Sequence, residues 1–286
     1  MKHNPKVSVI IPNFNYAQYL DNSIASVLNQ TYENIELIVV NNGSTDNSLE
    51  VLNSYQEQLI VINQSNLGQS GARNSGLMAA NGELIAFLDA DDFWESDKIL
   101  NQLKRVNETT QLVYSGYREF SELTTFDETI VLPKYSGDCR QIYVDQVCAS
   151  IVLGGESTAL FTKKLQEKVG LFDANLNSAA GWDYFRRCAA VTKFDFVDLP
   201  LSNYRVHDNN MSKNVRSNVV DIRHAYRKFL NDPDWHLTDA QKRRINRALE
   251  WNLSKTSIKA SDFKAALESI SVLLHPSPSR IDSFFK

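Results

Sequence analysis

The chain has 286 residues, 43% hydrophobic and 22% charged, an ordinary globular composition that excludes a low-complexity or disordered class. A formal net charge of −4 argues against nucleic acid as the main partner, because polyanion binding needs a basic face. The three cysteines, Cys139, Cys148 and Cys188, form no CxxC pair and are odd in number, so no disulfide framework is expected and a reducing, cytoplasmic setting is.

In chain order, residues 1–6 lack the apolar run of a signal peptide and lead straight into a strand. No stretch approaches the ~20 apolar residues of a bilayer span, so membrane contact is expected to be peripheral at most, at the inner face. Runs of Val, Ile and Leu at 7–11, 35–40, 59–63 and 84–88 predict strands. Between them, Leu20, Ile24, Val27 and Leu28 share a helical face, residues 48–55 start a helix behind Asp46, and the small-residue stretch 70–80 suits close packing on a sheet. Ile99, Leu100, Leu103 and Val106 continue the alternation, which means βαβ units and a parallel α/β sheet. Strands at 112–115 and 157–161, a polar connector at 119–137 and a short helix at 183–190 follow. After Tyr204-Arg205-Val206-His207 the pattern is helical throughout, at 219–230, 239–258 and 262–274. The expected division is an α/β domain at 1–216 and a helical extension at 217–286. Trp235, Trp251 and Phe263, at helical positions, are expected to be core; the alternatives are a homodimer face or a docking face for an acceptor-bearing partner.

The most telling stretch is Phe87-Leu88-Asp89-Ala90-Asp91-Asp92, three carboxylates directly after a wholly apolar strand. The carboxyl ends of such strands are where open α/β sheets bind ligands. Clustered carboxylates repel and are best tolerated around a cation; aspartate oxygens suit Mn²⁺ or Mg²⁺, which bridge to a substrate diphosphate. The alternative is a solvated acidic turn before a helix capped by Ser96 or Asp97. Polar motifs also follow the first three strands: Pro12-Asn13-Phe14-Asn15, then Asn41-Asn42-Gly43-Ser44-Thr45-Asp46, then Asn66-Leu67-Gly68 with Gly71-Ala72-Arg73-Asn74-Ser75-Gly76.

This ordered set, with Gln30-Thr31-Tyr32 between, resembles the N-terminal half of family 2 glycosyltransferases, closely over about the first 105 residues and more weakly to about 215. The resemblance implies a GT-A fold, Rossmann-like with a mostly parallel sheet, and transfer of a sugar from a nucleoside-diphosphate sugar to a saccharide or lipid-linked acceptor with inversion. It implies that Asp91 binds the metal, with Asp89 on the ribose or in the metal shell. It places Pro12, Asn13, Asn15, Asn41, Asn42, Asn66, Arg73 and Ala90 about the nucleotide. His207 would meet the metal or the diphosphate, and Arg205 the diphosphate.

Two departures stand out. Relatives have Asp-Asp where this chain has Asn41-Asn42; an asparagine still offers an acceptor to uracil N3–H, or a donor to cytosine. A UDP-sugar is the first expectation. The second departure concerns the general base, usually the first Asp of an EDxDLWLR-like helix start. Aligned on Arg187, that position is Gly181, which leaves Asp183 and Glu156 as candidate carboxylates. A binding module that has lost its base is the rival reading. A nucleotidyltransferase is weaker, since no lysine-bearing glycine loop follows the first strand.

Overall fold

The structure, a computed structural model, describes residues 4–121, 129–208, 210, 215–260 and 262–274. Strand β1 (Val7–Asn13) is buried along its whole length, as a strand covered on both faces must be. It pairs in parallel with β2 (Ile35–Asn41) and with β4 (Leu84–Phe87), and β2 pairs in parallel with β3 (Ile60–Asn63). Helices α1 (Ala17–Leu28), α2 (Ser48–Asn53) and α3 (Gly68–Ala79) make the crossovers. Helix α1 turns Leu20, Ile24 and Val27 onto Val9, Ile11, Val39 and Leu88, the main core. The order β3-β2-β1-β4 reverses between β1 and β4, so their carboxyl ends open onto a topological switch point, where open α/β sheets place ligands.

Beyond β4 come β5 (Phe93–Trp94), α4 (Lys98–Leu103), β6 (Thr110–Phe120), β7 (Thr129–Val131) and α5 (Arg140–Asp145). A 3₁₀ turn (Gly155–Thr158), β8 (Ala159–Thr162), α6 (Lys163–Val169), α7 (Ala180–Ala189) and β9 (Lys193–Arg205) complete this half. The sheet continues as β4-β8-β6-β9-β5, with β7 on β6, and here the pairs are antiparallel except β6 with β9. The strand expected at 157–161 therefore begins later, because residues 155–158 are spent on the turn. The long β9 escaped sequence reading: its ladder shifts register opposite Ser115–Tyr117, and Pro200 interrupts its pattern.

The chain divides into two compact units, residues 1–139 with 150–207, and residues 140–149 with 208–286. It differs from the expected boundary at 216/217 in residues 140–149 and 208–216. Residues 140–149 join the helical unit because Tyr143 packs edge-on to Trp235 at 6.0 Å and the Cys148 amide donates to the Tyr226 hydroxyl at 2.5 Å. That unit contains α5, α8 (Val215–Asn231), α9 (Asp239–Lys259) and α10 (Phe263–Leu274). Trp235 is buried there, 4.8 Å from the Phe229 ring. Trp251 and Phe263 are not core residues as expected; they are 54% and 65% exposed.

Candidate active site

The acidic motif forms a tight turn after β4, closed by the Asp92 amide donating to Asp89 O at 3.0 Å. From α1, Ser23 Oγ reaches the carbonyls of Ala90 at 2.8 Å and Asp92 at 2.6 Å, which pins the turn to the core. The Asp92 carboxylate is interior. It accepts from Ser157 Oγ at 2.8 Å and from the Arg205 amide at 3.1 Å, while burial and the charges of Asp91 and Asp89 push its carboxyl well up. Asp89 and Asp91 keep side-chain exposures of 27% and 13% and so face the cleft. The turn does not cap α4: Asp97 stands at that cap and binds Asn101 at 2.6 Å.

Asp91 Oδ2 lies 3.0 Å from His207 Nε2, bringing together two of the expected metal residues. The imidazole sits against the rings of Tyr16 at 5.7 Å and Tyr19 at 5.2 Å. Burial and then the Asp89 charge push the Asp91 carboxyl up, and burial with both aspartates raises the Tyr16 phenol. The two tyrosines, three residues apart at the start of α1, were not singled out from sequence. Arg205, expected at the diphosphate, is 2% exposed. Its Nε donates to the Asp91 carbonyl at 2.9 Å and its guanidinium lies over Tyr19 at 4.5 Å and Phe120 at 4.7 Å, so it positions the acidic turn from behind. Among the described residues, no three His, Cys, Asp or Glu side chains make a preformed metal cage. A cation here would need oxygens from a ligand, the usual arrangement for Mg²⁺ or Mn²⁺ on a diphosphate.

Arg73, on α3, is 2% exposed and bridges two carboxylates: its Nη2 donates to Asp89 Oδ1 at 3.0 Å and its Nη1 stands 2.6 Å from Glu156 Oε1. Its guanidinium carbon lies 5.6 Å from the Phe172 ring centroid. Glu156 comes from the 3₁₀ turn, where the neighbouring Ser157 ties Asp89 to Asp92 through its hydroxyl. Burial pushes the Glu156 carboxyl up, Arg73 opposes this, and Asp89 adds to it. Against Glu156 packs Gly181. A Cβ there would stand 2.7 Å from Glu156 Oε1 and 2.8 Å from Cδ, so only glycine leaves the carboxylate where it is.

Asp183, the other candidate base, is sealed. It is fully buried, with Oδ1 3.0 Å from Arg186 Nη2 and Oδ2 3.0 Å from Arg187 Nε on the same helix. Withdrawing it would break its ion pair with the Arg186 guanidinium, itself 1% exposed, at a cost of about 3–5 kcal/mol. In this geometry Asp183, expected as a candidate base, anchors α7 through Arg186 and Arg187.

The asparagine loops build the rim. Asn13 Nδ2 donates to Ser44 Oγ at 3.2 Å, and its buried Oδ1 receives no donor. Asn15 takes φ 59°, which asparagine tolerates, and its Oδ1 accepts from the Thr45 amide at 2.8 Å. Pro12 lies inside the ladder opposite Val40, and Asn41 Nδ2 donates to Asn63 Oδ1 at 3.0 Å. Asn42 is saturated. Its Oδ1 accepts from the Leu67 amide at 3.0 Å and Gln64 Nε2 at 2.8 Å; its Nδ2 donates to the Gly68 carbonyl at 3.1 Å and Asn66 Oδ1 at 3.2 Å. One backbone donor and one backbone acceptor fix the amide's orientation and require an amide rather than a carboxylate. At the position of the departure from Asp-Asp, Asn42, expected beside the base, braces the loop through these four hydrogen bonds.

The sequence matches the family model described as Glycosyl transferase family 2 over residues 8–170. It is 31% identical over 233 residues to an uncharacterized glycosyltransferase of Rickettsia typhi, covering 80% of this chain and 72% of that protein. It is 50% identical over 112 residues to an uncharacterized glycosyltransferase of Nostoc sp., covering 38% of this chain and 34% of that one, so it spans about a third of this relative's length. In fold it is similar to S. aureus TarS 1–349, solved in complex with UDP-GlcNAc (TM-score 0.69, 17% identity, 97% of this chain and 83% of that one). It is also similar to the mannosyltransferase PcManGT from Pyrobaculum calidifontis, solved with GDP-Man and Mn²⁺ (TM-score 0.65, 18% identity, 98% and 83%). With a GT-A architecture, a helical extension and a family match over more than half its length, the chain belongs to glycosyltransferase family 2.

Proposed function

We propose that this protein is a metal-dependent, inverting glycosyltransferase that moves a hexose or N-acetylhexosamine from a nucleoside-diphosphate sugar to an acceptor hydroxyl, in the assembly of a surface polysaccharide or glycolipid. The observation that carries this reading is the acidic turn at the switch point, with Asp89 held by Arg73 and Asp91 beside His207. Three carboxylates stand close together there, and the raised carboxyls of Asp91 and Asp92 mark negative charge that a divalent cation would relieve. Asp91 and His207 would hold the ion, Mn²⁺ or Mg²⁺, with the donor's diphosphate completing its shell. Bound there, the ion would act as a Lewis acid on the leaving diphosphate. The donor-less Oδ1 of Asn13 offers an acceptor to a ribose hydroxyl or a base N–H. UDP-sugars are the first donors to assay and GDP-sugars the second, the nucleotides named for the two similar structures.

Glu156 is the proposed general base. Inversion needs a carboxylate that takes the acceptor's proton as its oxygen attacks the anomeric carbon and the bond to the diphosphate breaks. Glu156 lies across Arg73 from Asp89, and burial raises its basicity toward the working range. The binding-module reading rests on the missing carboxylate at 181; the Glu156 carboxylate packed against that glycine supports the enzyme reading instead. The test is Asp91→Asn measured in two assays. Sugar transfer should fall by several orders of magnitude, and Mn²⁺-dependent binding of the nucleoside diphosphate should weaken in calorimetry. Full transfer by this variant, or transfer unaffected by EDTA, would refute the metal-dependent reading.

A further inference from the structure

We propose that the solvent-facing stripe of α9 docks on an anionic lipid surface. At 3.6 residues per turn, Arg244, Arg247, Trp251, Lys255 and Ile258 fall within one narrow arc of this helix, opposite its buried Ile245, Leu249 and Leu253. Trp251 and Ile258 are 54% and 50% exposed, and Lys255 Nζ lies 4.9 Å from the Trp251 ring centroid. A shallow groove of about 580 Å³ runs beside the stripe, lined by Arg243, Arg244, Arg247, Trp251 and, from α10, Leu273. On α10 itself, Phe263 and Leu267, one turn apart, are 65% and 66% exposed. These apolar side chains lie outside the unit's core, so stability of the fold does not account for them.

Charge selects the occupant. Residues 140–149 and 208–286 carry fifteen Lys and Arg against ten Asp and Glu, net +5; the rest of the chain carries fifteen against twenty-four, net −9. Arg244 is paired with Asp145 of α5 at 2.7 Å, but the acidic residues of α9 itself lie off the stripe, since Asp239 opens the helix and Glu250 is turned inward onto Arg223 at 2.8 Å. Pairing this face with the same face of a second copy would set two basic units against each other. Aromatic and aliphatic tips interleaved with arginine and lysine are the side-chain set of an interfacial helix: the tips enter the acyl boundary while the cations meet lipid phosphates.

The test is co-sedimentation of the full chain with vesicles of phosphatidylcholine alone and of phosphatidylcholine mixed equally with phosphatidylglycerol. Binding should be confined to the anionic vesicles and should fall as salt rises. Arg243→Glu with Arg247→Glu should cut the partition by at least about 25-fold, two steps of roughly fivefold for cations at an anionic surface. Arg243→Lys with Arg247→Lys should keep it, which separates charge from folding. Trp251→Ser should weaken it by about tenfold. Equal binding to neutral vesicles would overturn the proposal, as would charge-reversed protein that binds like wild type. So would tight binding to a single-stranded oligonucleotide with vesicle binding indifferent to Trp251→Ser, which would assign the stripe to a soluble polyanion.

Discussion

Gly181→Ala should separate catalysis from stability more cleanly than any change to the carboxylate itself. The new Cβ would stand 2.7 Å from Glu156 Oε1, and ordinary contact begins at 3.4 Å, so the carboxylate must retreat by about 0.7 Å. That motion loosens its 2.6 Å contact with Arg73. Displacements approaching 1 Å at a reacting group cost up to about 10²-fold in rate, so transfer should fall roughly 30- to 100-fold. Stability should hold. Alanine within a helix gains up to about 1 kcal/mol over glycine, which offsets the crowding because the obstructing atoms end a flexible side chain. The assay is initial-rate transfer from donor to acceptor, run beside urea unfolding and calorimetric donor binding. Donor affinity should stay within a few-fold, because position 181 packs on Glu156 and not on the asparagine rim. Glu156→Gln should then cost about 10²–10⁴-fold in transfer, as loss of a general base does, while keeping an acceptor for Arg73. Wild-type transfer by Gly181→Ala, with Glu156→Gln equally active, would refute the assignment.

Three further outcomes follow. Asp183→Asn should lower stability by about 3–5 kcal/mol in chemical denaturation, since it uncouples a buried ion pair, yet leave transfer per folded molecule within a few-fold; a stable but inactive Asp183→Asn would return the base to α7. Asn42→Asp should destabilise by about 1–3 kcal/mol, because its carboxylate would face the Gly68 carbonyl without a donor, and an unchanged urea midpoint would remove the bracing role. Glu36 accepts from Ser8 Oγ at 2.6 Å and the Asn81 amide at 2.7 Å, and these bonds outweigh partial burial to lower its carboxyl. A depressed folded value gives stability that is complete above the ordinary carboxylate range and lost as pH falls through the folded value. Wild type should therefore lose more stability than Glu36→Gln between neutral pH and pH 3, and parallel acid titrations would contradict this.

The first half of the sheet was legible because its strands are buried on both faces and read as unbroken apolar runs, while the helices between them keep a clear 3.6 period. The acidic turn was legible for a related reason: three carboxylates after such a strand are electrostatically too costly to be filler. What sequence hid depends on partners distant in the chain. Period and composition cannot reveal that residues 140–149 cover Trp235, that β9 lies along β6 through three register shifts, or that Trp251 faces solvent from an otherwise amphipathic helix.

The same limit applies inside the site, where residue type announced chemistry and only geometry assigned it. Arg205 and Asp183 carry the charges expected of ligand and base, yet both spend them within the protein, one on the Asp91 carbonyl and three aromatic rings, the other on Arg186 and Arg187. Gly181 and Glu156 invert that lesson. Twenty-five positions apart, neither has meaning alone: the glycine reads as a missing carboxylate and the glutamate as a loop residue. Packed together, the vacancy of one is filled by the acid of the other, and Arg73 joins that acid to Asp89. A substitution that looks like loss at one position can thus be an exchange, and the pair should be tested as a unit. Glu156→Ala alone should be inactive, and adding Gly181→Asp should restore part of the transfer rate if the carboxylate's location, rather than the residue that supplies it, is what the reaction needs. No recovery in a folded, donor-binding double variant would limit the base role to the glutamate's own geometry.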